Sequence, residues 1–310
     1  MPKNKKVLQK LSMNLKTIGI IIYLIFFGGA IGVFGKFALV SFNAETLIFL
    51  RLLIATLFLT LILWQKEKLG YAWHTLKKYV IDFFILALSG IGGGMVLGFL
   101  GLSFTTAVNY GLLFNISSIF MAILAVFLLK EKLPFKNIGL LILAFFGTML
   151  IITNGNLQTF TLTASFGDLL VLLGALGWAI YSIYGSYLSK KAGIDSLTLV
   201  YNTFIIGLIL LCPYLIYTSD FTIVPVTTSA LIATILLGIF STAILFYVWY
   251  EIINLGGGIL GSFITLGENI GGSIFPILLL NERPALPIWI GGTIILSTIL
   301  IYEHNKRISQ

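Results

Sequence analysis

The chain has 310 residues, of which 58% are hydrophobic and only 10% charged, with a mean hydropathy of +1.06 and a formal net charge of +8. Soluble domains carry roughly 25% charged residues, so water is not the main solvent for this surface. A single cysteine, Cys212, excludes an internal disulfide framework and a CxxC metal site. His74 and His304 are too far apart to suggest a catalytic or metal cluster.

The chain opens on "MPKNKKVLQKLSMNLK", a basic stretch over residues 1–16. The apolar run that follows is longer than the 7–15 residues of a signal-peptide core, and no convincing small-residue cleavage pattern closes it. It reads as a retained first span. A spanning helix needs about 20 largely apolar residues at about 1.5 Å each. Reading between polar breaks gives ten: 17–40, 46–64, 79–102, 106–129, 135–153, 166–188, 197–217, 229–250, 256–280 and 286–302. Only "SFTT" separates the third from the fourth, so a count of nine competes. Basic residues decide between them. With the N-terminus cytoplasmic, every Lys and Arg except Lys36, Arg51 and Arg283 falls in a cytoplasmic segment. Nine spans would spoil that alternation. The net charge therefore expresses topology, and no basic face is left over for nucleic acid.

The spans repeat. "LLKEKL" (128–133) and "LLNERP" (279–284) close the fourth and ninth, and each leads into a glycine and another apolar run, with Gly139 and Gly291 in register across one gap. Gly32 in "GAIGVF" and Gly177 in "GALGWA" occupy similar places in the first and sixth. The expected organisation is a first five-helix repeat over 17–153, an outer linker over 154–165, a second repeat over 166–302 and a cytoplasmic tail over 303–310. Because five is odd, the second repeat enters the membrane from the opposite side. The fold class is an all-α integral membrane protein of ten transmembrane helices in two inverted-topology repeats, the plan of many secondary transporters with a site near the midplane.

"GGAIGVFGKFAL" in the first span, "ETLIFLRLLIA" (45–55) in the second and the repeated acid-plus-glycine ends resemble the EamA family of the drug/metabolite transporter superfamily. The resemblance covers nearly the whole chain. It implies a ten-helix carrier of amino acids or related small metabolites, often working outward, and leaves the substrate open, since the superfamily also holds nucleotide-sugar, sugar-phosphate and quaternary-amine carriers.

Polar residues inside the spans are the candidate site. Glu268, in "TLGENIGGSIFP", lies at the centre of 256–280, about 18 Å deep by helix rise. A charge there costs about 2.5–3.5 kcal/mol on insertion scales. It is too deep to snorkel, so it should face the bundle interior, be protonated, or both; a structural carboxyl bonded to a neighbouring helix is the alternative. The repeat places Ser117 opposite it, so the first half has no matching acid. Asn115 and Asn269, at similar depth, are candidate path-lining residues. Lys36, near the outer end of its span, either snorkels to the interface or anchors a substrate carboxylate, and the resemblance supplies much of the second reading. Arg51 is expected to pack or snorkel. Trp178, Tyr181 and Tyr184 share one side of the sixth span and would suit a cationic or planar substrate, or pack against lipid. Tyr247, Trp249 and Tyr250 read as an interfacial belt. Asp168 reads as the start of the sixth span in a capping pattern with Ser165, and Asp82, Glu131, Glu251 and Glu282 as span ends. The glycines of 90–101 and 256–261 permit close helix packing, and Pro276 could add a kink.

A secondary carrier in the cytoplasmic membrane, with both termini inside, explains these features. An uptake carrier or exchanger for an amine, sugar or phosphate metabolite is the alternative. A channel would need pore segments that nothing specifies, and an enzyme would need a constellation such as GxSxG or HExxH that the chain lacks. No GxxxxGK[ST] nucleotide loop is present, so work against a gradient must come from an ion, with the proton as candidate, or from exchange. The expected partners are a small-molecule substrate and the lipid bilayer. No cofactor or metal is implied, and monomer or dimer stays open.

Overall fold

The computed structural model describes residues 15–160, 166–218, 225–280 and 285–308. Glu282, Arg283 and Ser165 lie outside them. Among the described residues the chain is helical, with no strand. Nine helices among the described residues are long and apolar enough to cross a membrane. They are α1 (Leu15–Ala38), α2 (Ala44–Gln65), α3 (Val80–Leu102), α4 (Ala107–Leu128), α5 (Phe135–Ile152), α6 (Phe166–Ala192), α7 (Ser196–Thr218), α8 (Thr228–Gly256) and α10 (Leu286–Ile308). Between the last two lies α9 (Gly258–Leu280), 23 residues long and carrying Glu268 and Asn269 among its apolar residues. These are the ten expected spans.

Several helix starts follow from local sequence. The first N–H groups of a helix have no intrahelical acceptor, and short polar side chains supply one. Asn43 accepts from Thr46 N at 2.8 Å to open α2, Thr106 from Asn109 N at 3.1 Å to open α4, and Thr227 from Ala230 N at 3.2 Å to open α8. α9 is opened differently. Its first two N–H groups, of Gly258 and Ile259, donate to the Glu131 carboxylate at 2.6 and 3.1 Å. A Cβ on Gly257, which has φ +88°, would lie 2.7 Å from that carboxylate, so a glycine is needed there on two counts. Glu131 is therefore a helix cap reaching across the repeats as well as a span end. Asp168 is also more than a first-turn acid: it is buried and accepts from Thr105 Oγ1 at 2.6 Å, tying α6 to the turn before α4.

Among the described residues three helices are interrupted by a change of winding. α3 widens into π turns over Leu88–Leu97, and α8 does so over Ile239–Ile244. These are the third helix of each half. α4 tightens at Asn115–Ile116, where i→i+3 bonds replace the regular ladder. Interruptions of this kind recur at functional sites.

Helix packing shows the inverted repeat directly. Exchanging each helix for its counterpart five places along turns one contact into another that is also present: α1–α9 into α6–α4, α1–α8 into α6–α3, and α2–α8 into α7–α3. The pairs α2–α7, α4–α9 and α5–α10 map onto themselves. Such a map is what a two-fold axis between the halves produces. α5 and α10 run antiparallel, since Lys136 Nζ donates to Asn305 at 3.0 Å at one end while Gly147 and Gly291 meet at the other. The tightest seam joins α1 and α9, where a Cβ added to Gly29 would lie 2.5 Å from the Gly271 Cα.

One element escaped the sequence reading. Leu69–Lys78, between α2 and α3, is a short amphipathic helix that buries Ala72, Thr75 and Leu76 and exposes Trp73, with Lys77 Nζ 4.9 Å over the Trp73 ring. An apolar stripe with aromatic and basic flanks suits the plane of a membrane interface.

Candidate functional site

A cavity of about 480 Å³ lies between the halves. Eight helices line it; α7 and α10 contribute nothing among the described residues. Its lining spans the middle of the bundle and the part away from the lysine-rich end. Gly28 to Gly32 come from the last part of α1, Tyr110 to Asn115 from the first turns of α4, and Ile151 and Ile152 from the end of α5.

Three of the predicted site residues meet on one wall. Glu268, Asn269 and Asn115 all line the cavity. The two amides bond across α4 and α9: Asn269 Nδ2 donates to Asn115 Oδ1 at 3.0 Å, and Asn115 Nδ2 donates to Asn269 Oδ1 at 3.4 Å and to Gly111 O at 2.7 Å. The break in α4 falls at this pair. Glu268 sits one residue away and reaches α1, where a Cβ on Gly28 would lie 2.8 Å from its carboxyl carbon. The missing side chain at Gly28 is what makes room for the acid. No hydrogen bond or ion pair joins the Glu268 carboxyl to a described residue. Ser117, its counterpart in the repeat, is fully buried and outside the lining.

Trp178 forms part of the floor with Leu245 and Phe246. Tyr181 is not in the lining; it is fully buried beneath the floor, its ring 5.5 Å from Trp178 and 5.1 Å from Tyr250. Tyr184 turns the other way and donates to Asp82. The interfacial-belt reading of Trp249 and Tyr250 is corrected. Both are 0% exposed; Trp249 Nε1 donates to Ser182 Oγ at 3.0 Å and Tyr250 OH to Tyr181 O at 2.8 Å. Their position near a helix end suggested the belt, but they point inward, where glycines leave space: a Cβ on Gly185 would lie 2.6 Å from the Tyr250 ring. Beyond them Ser186 Oγ donates to Asn254 at 2.7 Å and Ser196 Oγ to Glu251 at 2.8 Å. This aromatic and polar packing of α6 and the start of α7 against α8 lies between the cavity and the lysine-rich end.

The two basic residues inside spans part company. Lys36 is exposed and outside the cavity lining. Arg51, expected to pack or snorkel, packs: it is 3% exposed, and it also lines the cavity. Its Nε donates to Thr242 Oγ1 at 3.2 Å and its Nη2 to Ser241 O at 3.5 Å, both within the π segment of α8. Tyr110 also lines the cavity, as do the aromatic rings of Phe99 and Phe114. No sequence signal separated Arg51 from Lys36, since the two lie at nearly equal depth from their span ends.

A polar-walled, aromatic-floored cavity between inverted membrane halves defines the molecule as a multi-pass membrane transporter. Comparison with known proteins names the group. The chain matches the EamA-like transporter family twice, over residues 15–153 and 165–302, and belongs to that family. It is 28% identical over 303 residues to an uncharacterized transporter of Archaeoglobus fulgidus, covering 95% of this chain and 100% of that one. It is 34% identical over 181 residues to the uncharacterized transporter YyaM of Bacillus subtilis, covering 57% of each. A protein of known crystal structure superposes with a TM-score of 0.77 at 16% identity, over 92% of this chain and 96% of the other, a likeness of fold.

Proposed function

We propose that this chain is a secondary-active carrier that exports a small organic metabolite, an amino acid or related compound, across the cytoplasmic membrane by alternating access. The observation that carries the reading is the central cavity, bounded by both halves, with the packing of α6 on α8 lying at one end of it. Two halves of opposite orientation can exchange shapes, so the closed end of one state becomes the open end of the other. The distribution of lysines supports a cytoplasmic lysine-rich end, with both chain termini on that side. In this reading the substrate enters between the halves, rests on Trp178 and touches Glu268, Asn115 and Asn269. Glu268 either carries a proton between the faces or offsets a cationic group of the substrate. Lys36 and Tyr181 would act outside the pocket, Lys36 at its outer rim and Tyr181 as the support beneath Trp178.

Flux in proteoliposomes tests this. The wild type should show saturable, exchangeable uptake of its substrate, and Glu268→Gln should be slower or lose the pH dependence. Glu268→Gln transport as fast and as pH-dependent as wild type would remove both roles of the acid. Linear, non-saturating flux would favour a channel.

A further inference from the structure

Arg51 is a buried cation with no acidic partner among the described residues. Among the described residues no carboxylate lies within salt-bridge distance; its two bonds go to a hydroxyl and a backbone carbonyl, both neutral. A structural tie between α2 and α8 needs no charge, since a neutral amide could make the same two bonds. Taking a guanidinium out of water with only neutral partners is costly, and at 3% exposure it does not reach the headgroups. The guanidinium has five N–H donors, and the two bonds leave the rest of the fork unanswered in a cavity that Tyr110 also lines. Glu268 presents the complementary case in the same cavity, an acid with no partner among the described residues. The two are not paired with each other. The cavity thus holds a cationic and an anionic group, both unanswered, with an aromatic floor near them.

Building on the carrier reading, we propose that Arg51 is the anion anchor of the transport site: its free N–H groups take the carboxylate of a dipolar substrate whose cationic group lies at Glu268. Thr242 and Ser241 are positioning residues. The π segment that carries them turns a hydroxyl and a carbonyl toward α2 and fixes the fork, so that the carboxylate meets donors already in place. The rings of Phe99, Phe114, Trp178 and Phe246 hold the apolar body of the substrate. The order of charges is part of the assignment: compounds that carry only one of the two groups leave the other residue unanswered and bind more weakly.

Two matched series test this on the purified full-length protein by ligand-induced thermal stabilisation. One is L-phenylalanine, L-phenylalaninamide and 3-phenylpropionate; the other is L-leucine, L-leucinamide and 4-methylpentanoate. Each series keeps the body and removes one charge at a time. In the wild type the amino acid of at least one series should bind about ten- to a hundredfold more tightly than its amide, the worth of a charge-assisted hydrogen bond. Arg51→Gln should erase that preference and leave amide binding as it was. Glu268→Gln should erase the preference over the carboxylic acid instead. Thr242→Val, which keeps the side-chain shape, should weaken the amino acid and not the amide. The anchor is overturned if the wild type binds amide and amino acid alike, or if Arg51→Gln keeps the wild-type preference. Should Arg51→Gln not fold, the wild-type ranking and Thr242→Val still decide. If none of the six compounds binds, the dipolar substrate is overturned, and saturable flux of amine, sugar or phosphate compounds in vesicles then judges the carrier reading separately.

Discussion

Replacing Gly29 by alanine places a methyl carbon 2.5 Å from the Cα of Gly271. Carbon atoms rest about 3.5–4.0 Å apart, so α1 and α9 must separate by about 1 Å or more along this seam. The obstacle is backbone, and no flexible side chain can swing aside. Overpacking of this kind costs about 1–3 kcal/mol. Helix propensity returns at most about 1 kcal/mol, the difference between glycine and alanine in a helix interior. Gly32, one turn along the same helix, is the internal control, because a Cβ there meets nothing within 4 Å. Apparent melting temperatures of the two variants, in one detergent and at one protein concentration, read the difference. Gly29→Ala should melt several degrees below wild type, at about 2–4 °C per kcal/mol, while Gly32→Ala should match or exceed it. Equal melting of the two variants would refute the seam as a close backbone contact.

Three further outcomes follow from the bonds described above. Glu131→Ala strands the N–H groups of Gly258 and Ile259 and should cost about 1–2 kcal/mol of stability; Glu131→Gln keeps an acceptor and should recover part of the melting temperature. A double-mutant cycle of Asn115→Ala and Asn269→Ala should give a coupling of about 0.6 kcal/mol and up to about 1.7, whereas strictly additive effects would mean the amides do not meet. Trp249→Phe keeps an aromatic side chain but removes the bond to Ser182, about 0.5–1.5 kcal/mol, and leaves a small cavity where the pyrrole ring was, which adds to the loss. It should also loosen α6 from α8, so that Asn254→Cys in a Cys212→Ser background reacts faster with a membrane-impermeant thiol reagent; unchanged labelling would contradict that loosening.

Position along a spanning helix was legible from the sequence, and direction around it was not. Rise along a helix is proportional to residue number, which is why the ten spans and the shared level of Glu268, Asn115 and Asn269 along their helices could be read. A soluble helix also reveals its inner face, because the outer face is polar. In lipid both faces are apolar, and that contrast disappears. Lys36 and Arg51 show the consequence. Both are basic and both lie inside spans near the same membrane face, yet one is exposed and the other is buried in the cavity. Trp249 and Tyr250 failed for the same reason: their height suggested an interface, and their rotation put them in the core. The helix Leu69–Lys78 was missed because ten residues are too few to register as a span and its charges read as a loop.

The exchange of contacts between the halves has a consequence for how the protein is made. Apart from α9 with α10, the main helix pairs join one half to the other: α1 with α9, α6 with α3 and α4, α7 with α2, α10 with α5. The first five helices therefore have few partners among themselves. As the chain leaves the ribosome they can enter the bilayer one by one, each satisfying its own backbone, but they have nothing to close upon. Gly29 waits for Gly271 and Glu131 for the N–H groups of Gly258 and Ile259, more than half the chain's synthesis later at Gly29. Tertiary structure is a late event in this molecule, and it arrives for both halves together.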